Sequence, residues 1–384
     1  MPSRMLTLLA ALGLMLVCLP PAPACSLCGN GFQQSPTFRE EAAQAQARMI
    51  LYGSLRKSVQ QRDGTYLTPL DIKEVIRNDS ALAGKKAIEL PRFLPVTDEK
   101  NPPHLLLFCD VFKDRLDPYR GVPLKNTASL DYAKKAIART SRDRVDNLLF
   151  YFNYLEDPDP EVAKDAFLEF AKATDQDIGQ AAPKLSAEKL RRWIKDEKTP
   201  TERLGLYALL LGACGGADDA NFLAGMLKKT DERALNAYDG LLGGYIRLKP
   251  KEGWELALTT MADGSKPLPI RLRVVRTLRF YLGSQPKESR EMVLKAFALM
   301  IRQGELADVA IEDLRRYQLW ELTREVLGVY GKKGFDGPLM QRTIVRYALC
   351  APPDADLRRF LDERRKAEPD LLKEEEELLR AERR

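Results

Sequence analysis

Three groups of side chains in this chain have the types and spacing for chemistry. The first is Cys25 and Cys28, a Cys-Ser-Leu-Cys run. A dithiol at that spacing can cycle between thiols and a disulfide when a helix N-terminus after a strand lowers its thiol pKa. The second is Asp110, Asp114, Asp117, Tyr119 and Arg120, crowded into one short stretch. Carboxylates at that density can hold calcium, although the spacing is not that of an EF-hand. The third is Asp308 and Glu312, one helical turn apart, with Arg315 and Arg316 a turn beyond. Paired carboxylates do acid–base work in glycosidases.

Each group also has a plainer reading. Residues 1–24 read as a secretory signal: Arg4 gives a positive start, Met5 to Leu19 is a short apolar run, and Ala22-Pro-Ala24 supplies small residues for cleavage. Cleavage there leaves Cys25 with no strand before it, so the redox setting is missing, and Gly29 rules out a haem-attachment motif. Asp117-Pro-Tyr-Arg-Gly121 reads as a turn joining two halves of the chain, with an Arg–Asp pair. It is still the first place to look for a site, because ligand pockets favour domain junctions. Charged residues at the Asp308–Glu312 spacing are common as ion pairs on a helix surface. His104 is the sole histidine, and it follows Pro102-Pro103. It reads as a surface residue on a loop; no G-x-S-x-G elbow accompanies it, and a zinc-protease H-E-x-x-H cannot exist. Nothing here implies a metal or a cofactor.

The signal places the protein outside the cytoplasm: periplasm, cell envelope or medium. Six cysteines are present. Loss of Cys18 with the signal leaves an odd number, so at least one thiol is unpaired or modified in an oxidising compartment. Ala22-Pro-Ala-Cys25 loosely matches a lipoprotein box, and acylation of Cys25 would tether the chain to a membrane. Formal net charge is +6, with Lys and Arg interspersed among Asp and Glu. A nucleic-acid binder would concentrate its basic residues on one face or tail, so that class is set aside.

The elements that must position these groups change character near residue 125. Before it, Met49–Leu55, the alternating Tyr66, Thr68, Leu70 and Ile72 extended by Lys73–Ile76, Lys86–Leu90 and the apolar Leu105–Phe112 read as strands. Residues 36–48 read as a helix. After it, apolar helical runs are punctuated by Pro, Gly and Asp. A proline opening an apolar helix recurs at Glu161, Glu202, Arg271 and Gln341, the last three with an arginine within a few residues, and weaker copies lie near Arg233 and Leu306. Gly240, Gly243 and Gly244 read as a close helix contact. Cys214 and Cys350 end apolar runs and read as small buried residues. Residues 357–384 read as a charged terminal helix.

The recurring proline–arginine element resembles HEAT-type helical pairs, which implies an α-solenoid. The N-terminal cysteines, helix, Tyr52-Gly53 strand end and Leu105-Leu-Leu-Phe-Cys109 resemble the netrin or metalloprotease-inhibitor type of OB barrel. That resemblance implies a disulfide from Cys25 or Cys28 to Cys109. Taken whole, the chain resembles secreted proteins of planctomycete bacteria, which implies a compartment and no activity. The expected fold is α+β, mainly α: a signal over 1–24, a small β-rich domain over 25–125 and a HEAT-like helical domain over 126–384. The expected role is non-catalytic, with a protein or cell-envelope component held on the helical array. The alternatives are a carboxylate- or metal-dependent hydrolase at the junction and a lipid-anchored scaffold. Oligomeric state stays open.

Overall fold

The computed structural model describes residues 35–112, 115–139 and 143–382. Cys25, Cys28 and Asp114 lie outside these. A short helix α1 (Phe38–Ala43) leads into strands β1 (Met49–Leu55), β2 (Val59–Gln60), β3 (Tyr66–Arg77), β4 (Ala87–Leu90), β5 (His104–Phe112) and β6 (Arg115–Leu124). They form one curled antiparallel sheet in the order β2-β3-β1-β5-β6, with β4 also on β3. The helices follow. They are α2 (Thr127–Ile137), α3 (Arg144–Phe152), α4 (Pro160–Lys172), α5 (Asp175–Ala181), α6 (Ala187–Lys195), α7 (Thr201–Cys214), α8 (Ala217–Leu227), α9 (Glu232–Asn236) and α10 (Tyr238–Leu248). After these come α11 (Pro250–Ala262), α12 (Leu268–Ser284), α13 (Pro286–Gln303), α14 (Ala307–Arg316), α15 (Thr323–Gly328), α16 (Pro338–Cys350), α17 (Ala355–Ala367) and α18 (Pro369–Glu382). The architecture is a sheet half-barrel followed by a helical region.

Strands β1 and β5 carry unbroken apolar runs because both their faces are covered. Met49, Leu51, Leu105, Leu107 and Cys109 fill the inside of the curl. Ile50, Tyr52, Leu106 and Phe108 face the opposite way and join a core that continues through α2, α3 and α4 into the later helices. Sheet and helices therefore share buried side chains at the changeover.

Four expectations change in detail. The helix expected over 36–48 stops after Ala43. The Arg77 guanidinium donates to the carbonyls of Ala42 (2.6 Å) and Ala47 (2.7 Å), and so holds the chain in the bend that feeds β1. Asp117–Gly121 is not a turn but part of β6, paired with β5. His104 is the first residue of β5, stacked on Tyr52 with ring centroids 5.5 Å apart. The charged terminal helix is two helices, broken where Pro369 interrupts the run.

Most helices pack on neighbours near in sequence, with contacts from α6 to α7, α7 to α10, α10 to α12, α13 to α14, α14 to α16 and α16 to α18. Helix α5 departs from this by packing against α12. The closest crossing is α7 on α10, where Gly240 and Gly244, two of the three glycines read as a contact, do meet backbone. A Cβ on Gly240 would stand 1.8 Å from the Gly205 carbonyl oxygen, and one on Gly244 2.2 Å from that of Ala208. Bare backbone there also leaves carbonyls within reach of α12. Tyr281 donates to Gly243 O at 2.7 Å, and Thr277 donates to Asp239 O at 2.8 Å.

Arginines tie helix to helix along this region. Arg191 forks onto Asp219 at 2.6 and 3.0 Å. Arg273 and Arg276 both face Asp239, at 3.4 and 3.1 Å. Arg279 meets Asp313 at 2.8 Å, and Arg342 and Arg346 enclose the fully buried Glu375. Burial pushes the Asp239 and Asp313 carboxyls up, and their arginines oppose that shift. Each arginine thus compensates a charge that would be costly to bury alone.

Candidate functional site

The site starts from a defect in β6. Phe108 pairs with Arg120 and Cys109 with Pro118, so Tyr119 is an extra residue, a β-bulge. Successive strand residues normally point to opposite faces. The bulge lets Tyr119 and Arg120 reach the same carboxylate. Tyr119 donates to Glu41 Oε1 at 2.9 Å, and Arg120 pairs with Glu41 Oε2. Arg120 also donates to the Pro36 carbonyl at 3.2 Å and sits over the Phe108 ring.

Glu41 belongs to α1, which exists because Thr37 and Glu40 form a capping box. The helix is fastened to α4 by side chains. Thr37 Oγ1 donates to Glu169 at 2.7 Å, and Arg39 forks onto both Glu169 oxygens at 3.1 and 2.9 Å. Lys172 pairs with Glu40. The Phe38 backbone N–H donates to Asp165 Oδ1 at 2.6 Å, while Tyr132 of α2 donates to Oδ2 at 2.6 Å. A cleft of about 400 Å³ opens at this seam, lined by Phe38, Glu41, Tyr119, Arg120, Lys164 and Asp165 among others.

Asp165 is 3% exposed, and burial raises its carboxyl to about 7 against the pull of the Tyr132 and Phe38 donors. Burial and the Glu41 carboxylate push the Tyr119 phenol up, and Tyr132 rises for the same reasons beside Asp165. Tyr151 of α3 is fully buried, and burial pushes its phenol up.

Of the residues expected at the junction, Tyr119 and Arg120 come together in this cleft. Asp117 sits opposite Asp110 across the β5–β6 ladder and is exposed, and Asp110 accepts from the adjacent Val111 N–H at 2.6 Å. Neither Asp117 nor Asp110 lines the cleft. Among the described residues no group of three or more His, Cys, Asp and Glu is placed to hold a metal ion. Cys109 is a free thiol inside the half-barrel, pushed up to about 12 by burial and then by Asp117. Cys214 and Cys350 are half-buried free thiols at the ends of α7 and α16.

Asp308 and Glu312 do lie on one helix, α14, which packs against α13 and α16. Glu312 is taken by arginine, with Arg315 forking onto it at 2.9 and 2.8 Å and Arg316 donating at 2.7 Å. Arg315 also reaches Glu382 of α18 at 3.0 Å. The ion-pair reading fits this geometry.

Glu41, Asp165 and Glu169 escaped the sequence reading. The available signal was two acids one turn apart, Asp165 and Glu169, inside the apolar run of α4. Among the described residues no helix is long and apolar enough to cross a membrane. No family model matches this chain, and neither the curated proteins nor the solved structures compared with it give a match.

Proposed function

We propose that this is an exported, non-catalytic binding or scaffold protein. In this reading an OB- or netrin-like barrel precedes a HEAT-like solenoid, which holds a protein or cell-envelope component on its surface. One observation carries it: a carboxylate at each of the two candidate sites is occupied as a tie. Glu312 is held by two arginines, and Glu41 by Arg120 and Tyr119. The same kind of tie repeats from Arg191 to Arg346. Chains of this kind present extended surfaces and seldom their own catalysis. Helix α5 covers part of α12, which directs a partner to the later helices.

The reading is tested by photo-crosslinkers at Leu272 and Leu339, exposed apolar residues of α12 and α16, in cells of the native host. A discrete adduct with one envelope component is expected. Turnover of a hydrolase substrate that Asp165→Asn abolishes, with the fold intact, would overturn it. That hydrolase reading has one observation in its favour, a carboxyl near neutrality in a cleft beside Arg120 and Tyr119. Intact mass of the mature protein separates a third reading, since acyl chains on Cys25 would make it a lipid-anchored scaffold.

A further inference from the structure

We propose that the edge of the helical region where α12, α14 and α16 begin docks on an anionic lipid bilayer. The inference rests on the scaffold reading and names the envelope component as the lipid surface itself. Side-chain ties set these three helices side by side and parallel. Arg271, in the first turn of α12, pairs with Glu305 just before α14, and Arg279 further along α12 meets Asp313 further along α14 at 2.8 Å. The Phe335 ring, before α16, comes within 3.5 Å of where a Cβ would stand on Gly304, before α14. Tyr347, late in α16, donates to the Leu319 carbonyl past the end of α14 at 3.4 Å. The three first turns therefore end at one level, as neighbouring tips on one edge.

Two of the tips carry exposed leucines. Leu268 and Leu272 of α12 are 38% and 39% exposed, and Leu339 of α16 is 69% exposed. The backbone beside them is suited to leaving water. The first N–H groups of a helix have no partner inside it, and desolvating them is costly. Pro267 and Pro269 flank Leu268, and Pro338 precedes Leu339, so these positions have no N–H to strip.

The charge on this edge selects the partner. Lys266, Arg302, Lys332 and Lys333 are exposed there, and none stands within ion-pair distance of a carboxylate among the described residues. The acids nearby are engaged or covered. Glu305 is taken by Arg271, Asp263 accepts from Ser265, Asp336 accepts from the Gly334 N–H, and Asp308 is half-buried. Leucines alone would suit any apolar partner. Leucines at one level among unpaired cations match a flat surface with hydrocarbon beneath a layer of phosphates. A narrow groove on a protein would take one tip, whereas a plane meets α12 and α16 together.

Vesicle flotation tests this with the chain from Cys25 onward, shown by intact mass to be unacylated. It should float with vesicles of about 30% phosphatidylglycerol in phosphatidylcholine and stay behind with phosphatidylcholine alone. Lys332→Ala with Lys333→Ala should lower the partition coefficient on the order of thirtyfold, a factor of about five for each cation. Leu268→Ser with Leu339→Ser should lower it about tenfold or more. Leu378→Ser, at an exposed leucine further along α18, should leave it unchanged. All these side chains are exposed, so circular dichroism should stay native. No binding to either vesicle, equal binding to both, or binding untouched in both double variants would overturn the proposal. A protein adduct from a crosslinker at Leu339 without vesicle binding would overturn it too, and leave the scaffold reading standing. Vesicle binding lost in both double variants, beside a turnover that Asp165→Asn abolishes, would uphold the docking edge and overturn the scaffold reading.

Discussion

Replacing Gly240 by alanine should destabilise the protein, whereas the same change at Gly225 should stabilise it. Both glycines are inside helices, α10 and α8. Alanine gains about 0.8–1 kcal/mol over glycine in a helix interior. Gly225 is exposed with nothing near its missing Cβ, so that gain is kept there. At Gly240 the new methyl would stand 1.8 Å from the Gly205 carbonyl oxygen, and real Cβ contacts stay beyond 3.0 Å. The obstacle is backbone and cannot rotate away, so α7 and α10 must part by about 1 Å. A radial gap of that size forfeits about a quarter to a half of the dispersion energy along the seam. Overpacking of this kind costs about 1–3 kcal/mol, and the backbone clash argues for the upper end. The net loss for Gly240→Ala should be about 2 kcal/mol. Gly243→Ala should fall between the two, because its Cβ would meet the movable Leu209 side chain at 2.9 Å. Urea unfolding followed by helical circular dichroism measures all three. If Gly240→Ala matches the native chain within about 0.5 kcal/mol, the size of ordinary surface changes, the α7–α10 crossing is not as close as described.

Arg120→Ala should cost about 2 kcal/mol by leaving the buried Glu41 carboxylate without its cation, whereas Asp117→Asn, on the exposed rim, should stay within about 0.5 kcal/mol. Chemical denaturation decides, and a reversed order would move the site to Asp117. Glu375→Gln should strip Arg342 and Arg346 of their shared partner and loosen α18 by about 2 kcal/mol. Hydrogen exchange should show this loss in α18 with α7 unchanged. Cys109, held near 12 and buried, should resist iodoacetamide at pH 8 until denaturant is added. Labelling at the rate of an exposed thiol would show that β5 is not enclosed.

Strands β1, β3 and β5 were legible because their signals are local. Thr68 and Leu70 alternate into the core as read, and the unbroken run of β5 reports two covered faces. The glycine contact was legible for the same reason, since three glycines in one helix announce a close approach. The bulge was not. Asp-Pro-Tyr-Arg-Gly is turn chemistry, and only the pairing partner shows that the strand carries on through an extra residue. That misreading explains the half-right site. In the sequence Tyr119 and Arg120 read as loop residues near carboxylates, yet the carboxylate they hold is Glu41, about eighty positions earlier in the chain. Asp165 and Glu169 bond partners 127 to 132 positions away. Spacing rules weigh neighbours a few residues apart, and on that scale Asp165 is one more acid on an amphipathic helix. Its burial comes with partners on α1 and α2 that only the folded chain brings to it. Burial lifts its carboxyl while the Tyr132 and Phe38 donors pull the other way, and that balance exists only once the chain has folded back on itself.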